Sequence, residues 1–228
     1  MAEAGAGAGG DAHGRRAATV ARAAAALRRG GIVAYPTETF YALGACAEDA
    51  RAVSRLVGLK GRGAARALPV LCATTEQAAA LCAGGALPAA ARVLAERFWP
   101  GALTIVVPAR AGLPEAVAPR GEVGLRVSAH PLARALCAAA GPLVATSANR
   151  AGEAPAATAA VVRAAFGGGL DDVAEEDDGV QGRAPSTVVR LPAPLAGGSG
   201  ATGWSCDILR AGGVAAEAVE AALRAAGR

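Results

Sequence analysis

Short apolar runs stop abruptly at proline or at a cluster of hydroxyl and amide side chains, and this punctuation limits what the chain can fold into. Ile32-Val33-Ala34-Tyr35 ends at Pro36, Leu103 to Val107 ends at Pro108, and Leu143-Val144-Ala145 runs into Thr146-Ser147. Runs this short, rich in β-branched residues and bounded by turn formers, read as buried strands rather than helices. Longer Ala-rich segments lie between them, interrupted by Arg or Glu at helical spacing. Aromatic residues make up only 3% of a chain that is 53% hydrophobic, so Ala, Val and Leu must fill the core. Its 228 residues suit one large α/β domain and can bury a substantial core.

The pattern predicts a helix capped by Thr19 and closed by Gly30-Gly31, then a strand over Ile32 to Tyr35. A helix follows from Glu48-Asp49 to about Leu59, a strand over Ala67 to Cys72, and helices opening at Thr74 and Pro88. Strands are expected over Leu103 to Val107 and Val123 to Val127, and a helix begins with Pro131 in its first turn. Further strands are read at Leu143 to Ala145, Ser186 to Leu191 and Ser205 to Leu209, with helices from Thr158 and from Val214. The acidic stretch Asp171 to Gly182 reads as a loop. Strands and helices mix without strict βαβ alternation. That predicts a single α/β domain with a twisted, mixed open sheet and flanking helices. It would occupy residues 15–228 behind a disordered, Ala/Gly-rich tail over residues 1–14.

A net charge of +4 and a pI near 9.1 allow anionic ligands but equally fit a slight arginine excess. The five cysteines form no C-x-x-C pair and are odd in number, which argues against a disulfide framework and a zinc site. Reduced thiols in a cytoplasmic protein are the expectation. No charge-free run approaches the about 20 apolar residues of a membrane span, and the N-terminus has no secretory pattern. His13 lies in the tail and His130 precedes Pro131, so neither marks a catalytic centre.

Polar clusters in this apolar background carry the chemistry. Lys60-Gly61-Arg62 closes a helix. It reads either as a pair of cations favoured by the helix dipole, at about 0.3–1 kcal/mol, or as a phosphate clamp of a mobile Lys charge and a forked Arg. It is not a P-loop, since no G-x-x-x-x-G-K-[ST] occurs. Thr146-Ser147-Ala148-Asn149 is either a polar turn or a nucleotide and Mg²⁺ contact, because hydroxyl and amide oxygens are hard ligands. Thr37-Glu38-Thr39 after Pro36 reads as a turn with a helix cap or as a ligand edge. Arg126 lies inside an apolar run and needs a partner: Glu38, Glu122 or a ligand carboxylate. Ser186 opens a strand, and Arg210 ends one as Arg126 does.

Taken in order, the motifs resemble one family. They are Tyr35-Pro36-Thr37-Glu38-Thr39-Phe40-Tyr41-Ala42-Leu43-Gly44, Lys60-Gly61-Arg62, Trp99-Pro100-Gly101-Ala102-Leu103-Thr104, Gly124-Leu125-Arg126-Val127, Thr146-Ser147-Ala148-Asn149, Pro185-Ser186-Thr187-Val188-Val189 and Ile208-Leu209-Arg210. The series is similar to that of the YrdC-like threonylcarbamoyl-AMP synthases, from about residue 18 to 213. Lys-x-Arg with Ser-x-Asn is that family's hallmark. The chain departs from the pattern at Ala42, where the family usually has Gly. Gly63 and Ala67 stand in place of prolines, and Arg190 in place of Asp.

The resemblance implies an open α/β sheet around a basic concave pocket, in the short single-domain form. It implies a nucleotidyltransferase that joins L-threonine, bicarbonate or CO₂, and ATP into threonylcarbamoyl-AMP and pyrophosphate. A downstream threonylcarbamoyl-transferase complex would pass the group to tRNA beside the anticodon, so tRNA contact is expected to be indirect. Lys60 and Arg62 would be catalytic and hold phosphates. Thr37, Arg126 and Ser186 would contact threonine, with Arg126 on its carboxylate. Thr146, Ser147, Asn149 and Arg210 would hold the nucleotide, and Ser147 and Asn149 its Mg²⁺. The competing readings are a double-stranded-RNA-binding module and a paralogous protein of other activity.

Overall fold

A computed structural model describes residues 7–61, 67–150, 152–176, 180, 184–191 and 204–226, with side chains from residue 13 onward. Its strands are β1 (Val33–Pro36), β2 (Tyr41–Cys46), β3 (Val70–Cys72), β4 (Leu103–Pro108), β5 (Glu122–Val127), β6 (Leu143–Ser147), β7 (Asp172–Val173), β8 (Thr187–Arg190) and β9 (Asp207–Arg210). Its helices are α1 (Gly7–Arg28), α2 (Ala50–Lys60), α3 (Thr75–Ala79), α4 (Ala89–Phe98), α5 (Pro131–Ala140), α6 (Ala159–Phe166) and α7 (Ala216–Ala226). The strands form one sheet in the order β7-β1-β2-β6-β3-β5-β4-β8-β9. The pairs β1–β7, β3–β5 and β4–β8 are parallel and the rest antiparallel. The expected mixed α/β sheet is therefore present.

Alternation along each strand divides the sheet into two unlike faces. Leu43, Val144, Leu125 and Ile105 join a large core completed by Leu56 of α2, Leu94 of α4, Val162 of α6 and Leu223 of α7. The other face packs against α1 and α5 through Leu27, Leu132 and Leu136, which meet Tyr35, Leu71 and Leu143. Small residues keep this second face low where no helix covers it. Gly44 lies opposite Ala145, and Ala42 opposite Ser147.

The strand β2 was not anticipated. Ala42-Leu43-Gly44-Ala45 lacks both alternation and β-branching, so propensity reads it as a turn continuing from Pro36. Tertiary contacts override that. The Thr37-to-Phe40 loop closes a hairpin in which Pro36 pairs with Tyr41, and Gly44 allows a close approach. A Cβ there would lie 2.5 Å from Tyr35 Cε1 and 2.9 Å from the Val144 carbonyl oxygen.

Two further expectations need correction. The segment expected to be a disordered tail is helical from Gly7, and Thr19 lies inside α1 rather than capping it. Ala23, Ala26 and Leu27 fasten the C-terminal part of this helix to α5, and the helix continues N-terminally to Gly7. The acidic loop contains β7, which adds to the sheet edge beside β1.

Gly44→Ala is expected to destabilise the fold by about 1–3 kcal/mol through overpacking. Thermal denaturation would show a fall of several degrees. An unchanged melting temperature would mean that the Tyr35 ring has room to move aside.

Candidate functional site

The hallmark residues meet at the end of β6. Asp49 caps α2, accepting from the Arg51 and Ala52 amides, and Gly61 closes the helix in a left-handed conformation at φ 59°. That turn leaves Lys60 on the last helical position, aimed at the neighbouring strand. Although charged, Lys60 is only 4% exposed. Its ammonium donates to the Ser147 carbonyl at 2.6 Å, to the Asn149 carbonyl, and to Asn149 Oδ1 at 3.2 Å.

The loop after β6 is wound around this cation. Ser147 Oγ donates to Asn149 Oδ1 at 2.5 Å, and Asn149 Nδ2 donates to the Arg150 and Glu153 carbonyls. The Ala148 amide donates to the Tyr41 carbonyl, fixing the loop to β2. The mobile Lys60 charge expected from sequence is thus an anchored one, because three oxygen acceptors surround it. Its partner Arg62 lies outside the described residues, as do Gly63 and Arg66.

Thr37 is buried in the hairpin loop. Its Oγ1 donates to the Phe40 carbonyl at 2.7 Å and accepts from the Thr39 and Phe40 amides at 3.1 and 3.2 Å. It also pairs with Thr39 Oγ1 at 2.9 Å. These bonds hold the loop shut, so the turn reading of this motif holds, although no helix follows it.

Glu38, on the same loop, reaches β5. Its Oε1 lies 2.7 Å from Arg126 Nη2, and Ser128 Oγ donates to its Oε2. The strands β1 and β5 are four steps apart in the sheet. At about 4.8 Å per step that is about 19 Å, spanned by the loop, two long side chains and the curl of the sheet. Arg126 Nε donates to the Gly101 carbonyl at 3.0 Å, and the Gly101 amide donates to the Val127 carbonyl at 2.8 Å. The Trp99-Pro100-Gly101 segment, with its cis Trp99–Pro100 bond, thereby backs the arginine. Of the partners the sequence left open for Arg126, Glu38 is the one observed.

A third group spans β4, β8 and β9, beyond β5 in the sheet. Ser186 Oγ lies 3.0 Å from Thr104 Oγ1 and accepts from Arg210 Nη2 at 2.9 Å. Arg210 also donates twice to the Ser186 carbonyl, at 3.0 and 2.8 Å. The register places Thr104 beside Val188 and Thr187 beside Leu103, so Ser186 and Arg126 both lie where β4 begins and β5 ends. Thr146 is buried on β6 next to Ser147.

The structure thus joins Lys60, Ser147 and Asn149 directly, and Ser186 with Arg210. Sequence reasoning gave no role to Ser128, Thr104 or Gly101, which hold the others in place, although Gly101 and Thr104 stand inside the Trp99-to-Thr104 motif. For Ser128 and Gly101 the signal was their position beside an apolar run. Arg190, where the related pattern has Asp, pairs across strands with Asp207 at 2.9 Å. Such an exposed pair contributes about 0.2–1 kcal/mol at most.

Electrostatics separate the acid from the thiols. Burial alone would raise the Glu38 pKa. The nearby Arg126 charge, with hydrogen bonds from the Ser128 hydroxyl and the Ala129 backbone, outweighs it and holds the carboxyl below its usual 4.5. The buried Cys137 and Cys82 thiols are pushed up by burial to about 12 and about 11, so both stay protonated and unreactive.

Ser147 and Asn149 do not fit a directly bound Mg²⁺ in this arrangement. Asn149 Oδ1 already faces the Lys60 ammonium and the Ser147 hydroxyl, and a metal there would crowd one cation against another. No group of three or more His, Cys, Asp or Glu side chains that could hold a metal occurs among the described residues. No helix among them is long and apolar enough to cross a membrane.

Comparisons with known proteins identify the family. The Sua5/YciO/YrdC family model, described as telomere recombination, matches residues 25–197. A Chromohalobacter salexigens protein named threonylcarbamoyl-AMP synthase is 47% identical over 152 residues, covering 65% of this chain and 80% of that protein. A Bacillus subtilis protein of the same name is 38% identical over 215 residues, covering 90% of this chain but 56% of its own length. The crystal structure of P. abyssi Sua5 complexed with L-threonine superposes with a TM-score of 0.77 at 34% identity, covering 91% of this chain and 56% of that one. The fold, an open mixed sheet with flanking helices, is that of this structure. The chain belongs to the Sua5/YciO/YrdC family.

Two predictions follow from these contacts. Lys60→Ala should cost about 2–4 kcal/mol of stability, because it strands buried carbonyl and amide oxygens. The sequence alone suggested at most the dipole value. Chemical denaturation decides between them. Glu38 stabilises the fold fully above pH 4.5, its ordinary value, and loses that contribution as the pH falls through its lower folded value. Melting temperature should therefore drop more steeply below pH 4.5 in the wild type than in Glu38→Gln. Parallel curves would remove Glu38 from the acid transition.

Proposed function

We propose that the protein is an L-threonylcarbamoyl-AMP synthase, a nucleotidyltransferase using L-threonine, bicarbonate or CO₂, and ATP. The observation that carries this reading is the Lys60 ammonium bound by the Ser147–Asn149 loop, in a chain 47% identical to a protein of that name. The structure of P. abyssi Sua5 with L-threonine supports the choice of amino acid.

The reaction adds threonine's amine to CO₂ with loss of a proton, giving a carbamate. A carbamate oxygen then attacks the α-phosphorus of ATP, and pyrophosphate leaves. Carbamate, triphosphate and pyrophosphate are all anions, so the adenylation step calls mainly for positioning and charge neutralisation and requires no covalent nucleophile. Lys60 sets the shape of the Ser147–Asn149 loop, whose amides and hydroxyl border the phosphate site. Arg62 supplies a forked donor to the phosphates. Arg126 takes the threonine carboxylate, with Ser186 beside it, and Arg210 closes the nucleotide side. Thr37 shapes the loop that carries Glu38. Mg²⁺ accompanying ATP would supply charge neutralisation to the phosphates, without a place on the Ser147 and Asn149 side chains. A transferase complex downstream consumes the adenylate for tRNA modification, and the cytoplasm is the compartment where ATP, tRNA and reduced thiols occur together.

Incubation with ATP, Mg²⁺, L-threonine and bicarbonate, followed by mass spectrometry, is expected to show threonylcarbamoyl-AMP. Pyrophosphate release should require both threonine and bicarbonate, and should fall strongly in Arg62→Ala. Pyrophosphate release that is indifferent to threonine would overturn the assignment.

A further inference from the structure

We propose that Glu38 and Arg126 together form a receptor for a zwitterionic α-amino acid, in which Glu38 holds the substrate's amino group beside the carboxylate held by Arg126. This rests on the reading that threonine binds at Arg126, and adds to it the group that recognises the amine.

An α-amino acid carries its ammonium and carboxylate on one carbon, so a matching site needs opposite charges side by side. Arg126 Nη2 and Glu38 Oε1 are 2.7 Å apart. Both side chains are fixed from behind. Arg126 Nε is held by the Gly101 carbonyl, and Glu38 Oε2 by the Ser128 hydroxyl, which is itself bound by the His130 amide at 3.1 Å. The facing atoms Nη2 and Oε1 nevertheless lack a hydrogen-bond partner, because their approach is oblique. Arg126 is 7% exposed, so these are buried charged atoms with unused hydrogen-bonding capacity. Arg126 Nη1 makes no hydrogen bond among the described residues. A ligand offering a carboxylate and an ammonium together completes both partners. A ligand offering only a carboxylate meets a neutralised arginine and a repelling Glu38.

The role persists through the chemistry. The amine remains a hydrogen-bond donor after it becomes a carbamate nitrogen, so Glu38 accepts from it before and after the step. The carboxyl, already held below its usual pKa by Arg126 and Ser128, stays ionised near neutral pH and orients the nitrogen rather than taking its proton.

Calorimetric binding of L-threonine and of (R)-3-hydroxybutanoate, which is threonine without its amino group, tests this. The wild type should prefer threonine by about tenfold or more. Glu38→Gln should lose about tenfold to a hundredfold in threonine affinity while holding the amine-free acid as well or better, so that the preference collapses. Glu38→Asp, which keeps the charge, should retain the preference with weaker binding. ATP affinity, measured on each variant, reports that the site is still folded. If Glu38→Gln weakens both acids equally, or keeps the wild-type preference, the amine-holding role is wrong while the proposed activity stands. A wild type that binds no threonine overturns the activity and this inference together.

Discussion

A single buried ammonium holds the candidate site together. Lys60 brings a positive charge to the C-terminal end of α2 and satisfies it on carbonyl and amide oxygens of the loop after β6. Burying a charge is costly unless it is bonded, and here the loop's carbonyl and amide oxygens bond it. The two elements therefore fix one another. The helix cannot unwind its last turn without stranding the cation, and the loop cannot open without losing its centre. The hydroxyl of Ser147 and the amide of Asn149 owe their orientation to this contact.

The second constraint is the low, open face of the sheet. Ala42, Gly44, Gly124 and Ala145 add little side-chain height on the side where Arg126 and Ser147 point. The opposite face is filled by Leu, Ile and Val under α2, α4, α6 and α7. The hydrophobic effect thus fills one face throughout and the other only under α1 and α5, leaving the rest of that face to polar side chains. This explains how a chain so poor in aromatics still positions charged groups at partly buried sites. Its core draws on many small aliphatic contacts rather than a few large rings.

What was legible in the sequence follows from which signals are local. The β4 and β5 strands and α5 were readable because proline and β-branched runs mark their limits within a few residues. The mixed sheet was readable from the failure of strict alternation between strands and helices. The strand β2 was not, because its evidence is the Tyr35 ring lying against Gly44, a contact that no local pattern encodes. In the site, the motif order pointed to Lys60, Ser147 and Asn149, but their mutual bonding was hidden. Lys60 and Ser147 are 87 positions apart. The dipole argument for a cation at a helix end was sound for an exposed side chain and failed because this one is buried. For Arg126 the sequence left Glu38, Glu122 and a ligand carboxylate open, and of the two acids it is Glu38 that lies against it.

Arg126 shows how one residue can serve both stability and recognition. As a lone buried cation it would be a heavy cost, and the Glu38 carboxylate offsets it in the free protein. The observed approach is close enough to neutralise both charges yet too oblique to complete the hydrogen bonds of Nη2 and Oε1. The fold gains most of the Coulomb energy while the remaining bonding capacity stays in reserve. Gly101 and Ser128 make this possible by restraining the far ends of the two side chains. The small residues around it, and the loop locked by Thr37, therefore act toward one end: keeping opposite charges adjacent but incompletely paired.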